Sequence, residues 1–191
     1  MKLFRFLLIP AFGLAVHTQL YANDFEAALS SETAQFTFRS DSSLIGWGGA
    51  DLGFGIFYNE ESDFVTQFEL IQRRQASSQA PLTLGVGVKF YAGNIDATND
   101  DIFGLGIGAE IRYTFPGVMP SSIYLRGYFA PEITSFGDTE EIADYNLGFQ
   151  IEVLPQTSAF VGIRHIEVDT ENLRNYDLDD DNIHFGVRLT F

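Results

Sequence analysis

The chain has 191 residues, with 26 Asp and Glu against 11 Lys and Arg, a formal charge of −15, and no cysteine. Such acidity works against nucleic-acid binding, because the phosphates would be repelled, and the lack of thiols excludes disulfides and thiolate metal centres. Hydrophobic residues still make up 46% of the sequence, with 19 Phe and 8 Tyr, so a large apolar surface must be placed somewhere.

Residues 1–22 read MKLFRFLLIPAFGLAVHTQLYA. Two cations, Lys2 and Arg5, precede an apolar run over 6–16, and Ala22 offers a small residue for cleavage, the layout of a secretory signal peptide rather than a buried first helix. The run is shorter than the roughly 20 apolar residues a membrane-spanning helix needs. Cleavage is expected to leave residues 23–191 as one domain carrying nine cations and a formal charge of −17.

From residue 23 onward, apolar residues recur at every second position, the period of a strand with one apolar face. Phe25, Ala27 and Leu29 begin the pattern. Its parity changes at Ala34, Phe36 and Phe38, which predicts a turn near 30–32 and a short hairpin over 25–39. Ala50, Leu52, Phe54, Ile56 and Tyr58 form the next row, followed by Phe64, Phe68 and Leu70. Residues 82–90 and 103–115 alternate likewise, then Ile123, Leu125 and Phe129, then 145–153 and 159–163. The last ten residues, NIHFGVRLTF, place Ile183, Phe185, Val187, Leu189 and Phe191 on one face. No 3.6-residue period competes with this alternation.

Charges inside the predicted strands sit on the face opposite the apolar row. Asp51, Glu69, Arg73, Lys89, Glu110, Arg112, Arg126, Glu152, Arg164 and Arg188 all obey this parity. A soluble barrel would show the same parity, with the apolar face as its core. Three features favour the inverted arrangement, apolar outside and polar within. The predicted strands run nine to fourteen residues, as a tilted transmembrane strand requires. The polar face carries glycine and tyrosine more than Lys and Glu, which suits a narrow interior. Trp47, Tyr58, Phe64, Phe90, Tyr113, Phe115 and Tyr145 stand at row ends, where interfacial girdles belong. The expected fold is all-β: a single antiparallel transmembrane β-barrel of 8 to 10 strands. Eight strands follow from residue 48 onward, and the hairpin over 25–39 would make ten; nine conflicts with the even strand number of single-chain bacterial barrels.

The stretches ETAQFTFRSDSSLIGWGGADLGFGIFYNEES, YFAPEITSFGD and EVLPQTSAFVGIR resemble those of the YfaZ family of outer-membrane proteins, over nearly all of residues 23–191. The resemblance implies a bacterial outer-membrane β-barrel among lipids and lipopolysaccharide, and brings no catalytic residues with it. Phe191 resembles the terminal aromatic residue that marks outer-membrane proteins for insertion by the barrel-assembly machinery.

If 182–191 runs toward the periplasm, the connections 59–63, 92–101, 131–144 and 167–181 lie outside. The connections 40–48, 74–81, 116–122 and 154–158 then lie inside. The outer set holds 18 of the 26 acidic residues, including GDTEE at 137–141 and DLDDD at 177–181, and the inner set holds only Asp41.

Within the lumen, Glu110, Arg112, Arg126 and Glu152 are expected to pair across neighbouring strands and satisfy one another where water is scarce. The two histidines after residue 22, His165 and His184, have no serine near them in sequence. An acyl hydrolase, which would need a nucleophile beside a histidine oriented by a carboxylate, is therefore a weak alternative. The run YDLDDDN has EF-hand spacing at Asp177, Asp179 and Asp181, but Asn182 stands where glycine is needed and Arg188 where the bidentate glutamate should be. Divalent cations shared with lipopolysaccharide phosphates at the acidic loops remain the looser alternative. Gly85, Gly87, Gly104, Gly106 and Gly108 match no phosphate loop and are expected to make room for Tyr91, Tyr124 and Tyr128. No cofactor and no dedicated metal site is expected. The reading is an integral membrane barrel with a structural or interaction role, a lumen filled by side chains and acidic outer loops; a narrow channel and a lipid-modifying enzyme are the rivals.

Overall fold

Period-two alternation becomes an antiparallel meander that closes on itself. The computed structural model describes residues 23–45, 48–76, 81–179 and 183–191. In order along the chain come β1 (Asp24–Leu29), β2 (Thr33–Asp41), β3 (Asp51–Asn59), β4 (Phe64–Gln75), β5 (Leu82–Ile95) and β6 (Asp100–Phe115). These are followed by β7 (Ser121–Ala130), β8 (Ser135–Gly137), β9 (Thr139–Leu154), β10 (Thr157–Thr170), β11 (Tyr176–Asp177) and β12 (Ile183–Thr190). Short β8 hangs on β6 and short β11 on β10, so the wall is made by the other ten strands. The signal sequence expected over 1–22 lies outside the described residues.

Closure comes from β1, which pairs with β2 on one side and β12 on the other. Asn23 and Phe191 exchange backbone hydrogen bonds of 2.8 and 2.9 Å at the seam. Asn23 and Phe191 therefore lie together at one end of the barrel, called here the terminal end. The hairpin over 25–39 is β1 and β2, which settles the count at ten. The parity change in that segment is its turn, where Ser30 Oγ accepts from the Thr33 backbone N–H at 2.9 Å.

The apolar rows of all ten strands face outward. Ile107 is 69% and Val86 67% exposed, a degree of exposure that only a bilayer makes favourable over a whole belt. Tyr58, Phe64 and Tyr145 stand near the end of the belt away from the termini, and Tyr113, Phe115 and Phe191 near the terminal end, all exposed. Trp47 lies outside the described residues.

Beyond the belt the strands continue farther than the alternation predicts. Asn94 pairs with Asp101 and Ile95 with Asp100, while Glu141 pairs with Asp169. The expected connections 92–101 and 131–144 are thus largely ladder, and the loops shrink to 96–99 and 131–138. Above the lipid neither face of a strand has to be apolar, so backbone pairing persists where the apolar period has stopped.

Inside, the lumen has two zones. The half away from the termini is an apolar core of Phe57, Val65, Tyr91, Ile95, Ile102, Tyr128, Ala130, Ile142, Ile166 and Val168, capped by Leu178 from the long connection after β10. The terminal half is charged. Ten strands enclose more space than eight, and long side chains fill it only where their neighbours are small. A Cβ on Gly148 would lie 2.5 Å from the Tyr124 ring, and one on Gly108 2.2 Å from the Tyr128 ring. Gly85 and Gly87, expected to serve tyrosines, instead face Ile71, and Gly104 faces Ile142.

Candidate functional site: the charged lumen

Glu110 is the centre of the charged half. It stands on β6 directly opposite Arg126 of β7, and its side chain is 1% exposed. Arg126 Nη2 approaches Glu110 Oε2 at 2.6 Å, Arg112 Nε approaches Oε1 at 3.2 Å, and Arg73 Nε approaches Oε1 at 3.0 Å. One carboxylate thus serves three guanidinium groups from three strands. Such a buried arrangement holds only when most donors and acceptors are matched, since desolvation of each ion is costly.

The network extends across the barrel through residues of the first hairpin. Arg39 donates to Glu26 at 3.0 Å and to Glu69 at 3.4 Å, and Arg188 of β12 donates to Glu26 at 2.6 Å. Glu69 also accepts from the Tyr128 hydroxyl at 2.6 Å. Arg73 pairs with Asp51, and Gln150 accepts from Arg112 and Arg188. Arg112 lies over the Tyr124 ring, 4.7 Å from its centroid, a favourable cation–π contact in a dry site.

Of the residues the sequence singled out, the structure brings together Glu110, Arg112 and Arg126 and leaves Glu152 apart. Glu152 has inward parity but makes no ion pair among the described residues. Arg126 is level with Asn146 on β9, and Glu152 lies six residues farther toward the terminal end, about 20 Å along a strand that rises ~3.3 Å per residue. Parity tells which face a side chain takes, and only register tells its height. Arg73 takes the place foreseen for Glu152, as a third guanidinium instead of a second carboxylate. Glu26 and Arg39 escaped notice because the 25–39 segment had no assigned place in the wall, although both alternate with the apolar row.

Two further polar clusters lie nearer the other end. Lys89 Nζ stands 2.7 Å from Asp144, which also accepts from the Tyr91 hydroxyl at 2.9 Å. Higher still, Arg164 pairs with Asp179 and donates to Thr33 at 3.0 Å, drawing residues 171–179 into the barrel mouth. Tyr176 of that connection donates to Asp63 at 2.8 Å, and burial together with this bond pushes its hydroxyl above the usual tyrosine range. Of the acidic run, Asp177 and Asp179 lie among the described residues, and they point to opposite sides of the wall. Asp179 turns inward, while Asp177 turns outward to His165, 3.0 Å from its Nδ1, and Glu167 lies 3.3 Å from its Nε2. The ligand atoms of His165, Glu167 and Asp177 lie within 4.8 Å of one another. His184 is buried in the lumen, edge-on to the Phe160 ring at 5.9 Å; Asp181 lies outside the described residues.

The family described as YfaZ precursor matches residues 12–191. The chain belongs to the YfaZ family. This YfaZ-family protein is an integral outer-membrane β-barrel of a Gram-negative bacterium, surrounded by outer-membrane lipid. No curated protein matches it. Among solved structures it is similar to the KdgM porin, at 9% identity and a TM-score of 0.46, covering 89% of this chain and 99% of that one. It is also similar to the outer membrane channel DcaP of Acinetobacter baumannii, at 10% identity and a TM-score of 0.39, covering 87% and 54%. A third similarity is to Omp33 of Acinetobacter baumannii, at 8% identity and a TM-score of 0.33, covering 90% and 95%.

Proposed function

We propose that this YfaZ-family barrel is a closed, membrane-embedded structural or interaction protein. The observation that carries the reading is the apolar core in the half of the lumen away from the termini, where Phe57, Tyr91, Ile102, Tyr128 and Ile142 are each at most 1% exposed and Leu178 folds in above them. An ion crossing this zone would shed its water against hydrocarbon. The terminal end is assigned to the periplasm, because it carries the two-residue turn at 155–156 and almost none of the connecting acids. The opposite end then presents acidic loops outside, where divalent cations bridging lipopolysaccharide phosphates would meet His165, Glu167 and Asp177. Removal of residues 1–22 and recognition of Phe191 by the barrel-assembly machinery complete the proposal.

Planar-bilayer recording of the refolded protein tests it. A closed barrel is silent. Unitary current steps would replace this reading with the narrow channel, which the polar terminal half of the lumen favours.

A further inference from the structure

The terminal half of the lumen contains a cavity of about 250 Å³ whose wall is mostly guanidinium: Arg39, Arg73, Arg112, Arg126 and Arg188, with Asp24 and Asp51 also lining it. At ~30 Å³ per water, it has room for a small solute with part of its hydration. The glutamates that balance these cations, Glu26, Glu69 and Glu110, do not line the cavity. Glu110 and Glu69 have side chains 1% and 5% exposed and already accept several donors each. The two lining aspartates are engaged as well, Asp24 with the Thr190 hydroxyl at 2.6 Å and Asp51 with Arg73.

The guanidinium groups, in contrast, keep donors in hand. Arg39 uses Nε and Nη1, and Arg112 uses Nε and Nη1; Nη2 of each donates to no acceptor among the described residues, and neither nitrogen is sealed from solvent. Arg126 Nη1 stands 3.7 Å from Glu69, beyond hydrogen-bonding distance. Spare planar donors facing one cavity, with the balancing glutamates outside its lining, form the recognition surface for an oxyanion, which guanidinium groups grip by paired hydrogen bonds.

We propose that this vestibule binds a small oxyanion, a phosphate or carboxylate group on a solute that enters from the terminal end. Arg39 and Arg112 supply the principal donors and Arg126 adds positive charge. The apolar core above bounds the site, so the solute is held in the terminal half. The inference stands independently of whether the lumen conducts.

The test uses the refolded full-length barrel in a neutral detergent, titrated with inorganic phosphate, acetate or chloride at matched ionic strength. Phosphate or acetate should raise the unfolding midpoint in a saturable way, and chloride should not. Arg39→Lys and Arg112→Lys keep the charge beside Glu69 and Glu110 but lose the planar fork. Each should weaken the apparent affinity about tenfold, the worth of one charge-assisted hydrogen bond. Arg174→Gln, on the exposed connection at the other end, should leave it unchanged. Equal midpoints in all three salts for the unaltered protein overturn the proposal without any variant having to fold. So does a phosphate effect that both Lys variants retain in full, because binding would then lie outside the vestibule.

Discussion

Glu110 and Arg126 face each other across β6 and β7, and Arg126 donates to Glu110 through Nε at 2.8 Å. The pair is unequal: Arg126 is one of three cations on Glu110, whereas Glu110 is the chief acceptor for all three.

Glu110→Ala should therefore destabilise the barrel by about 3–5 kcal/mol, because it leaves buried guanidinium charge uncompensated. Arg126→Ala should cost less, since Arg73 and Arg112 still cover the carboxylate. Urea unfolding in lipid vesicles, followed by the electrophoretic mobility of unheated samples, orders the two variants. The reverse order would mean that water, not protein, solvates Glu110.

Gly148 and Tyr124 supply a packing test. A methyl group on Gly148 would lie 2.5 Å from the tip of the Tyr124 ring, so Gly148→Ala should destabilise by about 1–3 kcal/mol through overpacking. Tyr124→Leu in the same chain should recover most of that loss. Additive effects in the double variant would show that the ring moves aside freely.

Deleting Phe191 removes an exposed ring and both hydrogen bonds that join the seam to Asn23. Membrane insertion should fall, with the unassembled chain accumulating in the periplasm. Phe191→Ala keeps the backbone bonds, so insertion that fails equally in this variant assigns the effect to the ring. Normal insertion of Phe191→Ala would assign it to the seam.

Tyr176 gives the docking of residues 171–179 a pH dependence of defined sign. Its folded pKa is raised, by burial first and by its bond to Asp63 second, so the stabilisation is fully present below the unfolded tyrosine value of ~10. It is lost progressively as pH rises from that value through the higher folded one. Tyrosinate absorbance of the native barrel minus that of Tyr176→Phe should show one group titrating later than free tyrosine. A difference curve centred near 10 would place Tyr176 in water and leave the connection undocked.

The wall of this protein was legible in its sequence because side chains in a strand alternate strictly, so polarity alone assigns each residue to lipid or lumen. Phe54, Ile107 and Val187 could be placed outside, and Glu110 and Arg126 inside, without coordinates. Alternation says nothing about height. Glu152 shares the parity of Glu110 but lies six residues below the level of Arg126 on its strand and makes no ion pair among the described residues, while Arg73, Glu26 and Arg39 reach the network from strands distant in sequence. That selection depends on register, which is set by the ladder only once β1 meets β12 and the barrel closes. The same closure decided ten strands over eight, because the pairing of Asn23 with Phe191 joins segments that no local pattern relates. The acidic run after Tyr176 carries no period at all, and the opposite fates of Asp177 and Asp179 were decided by what each could reach, His165 on the outer wall and Arg164 in the mouth.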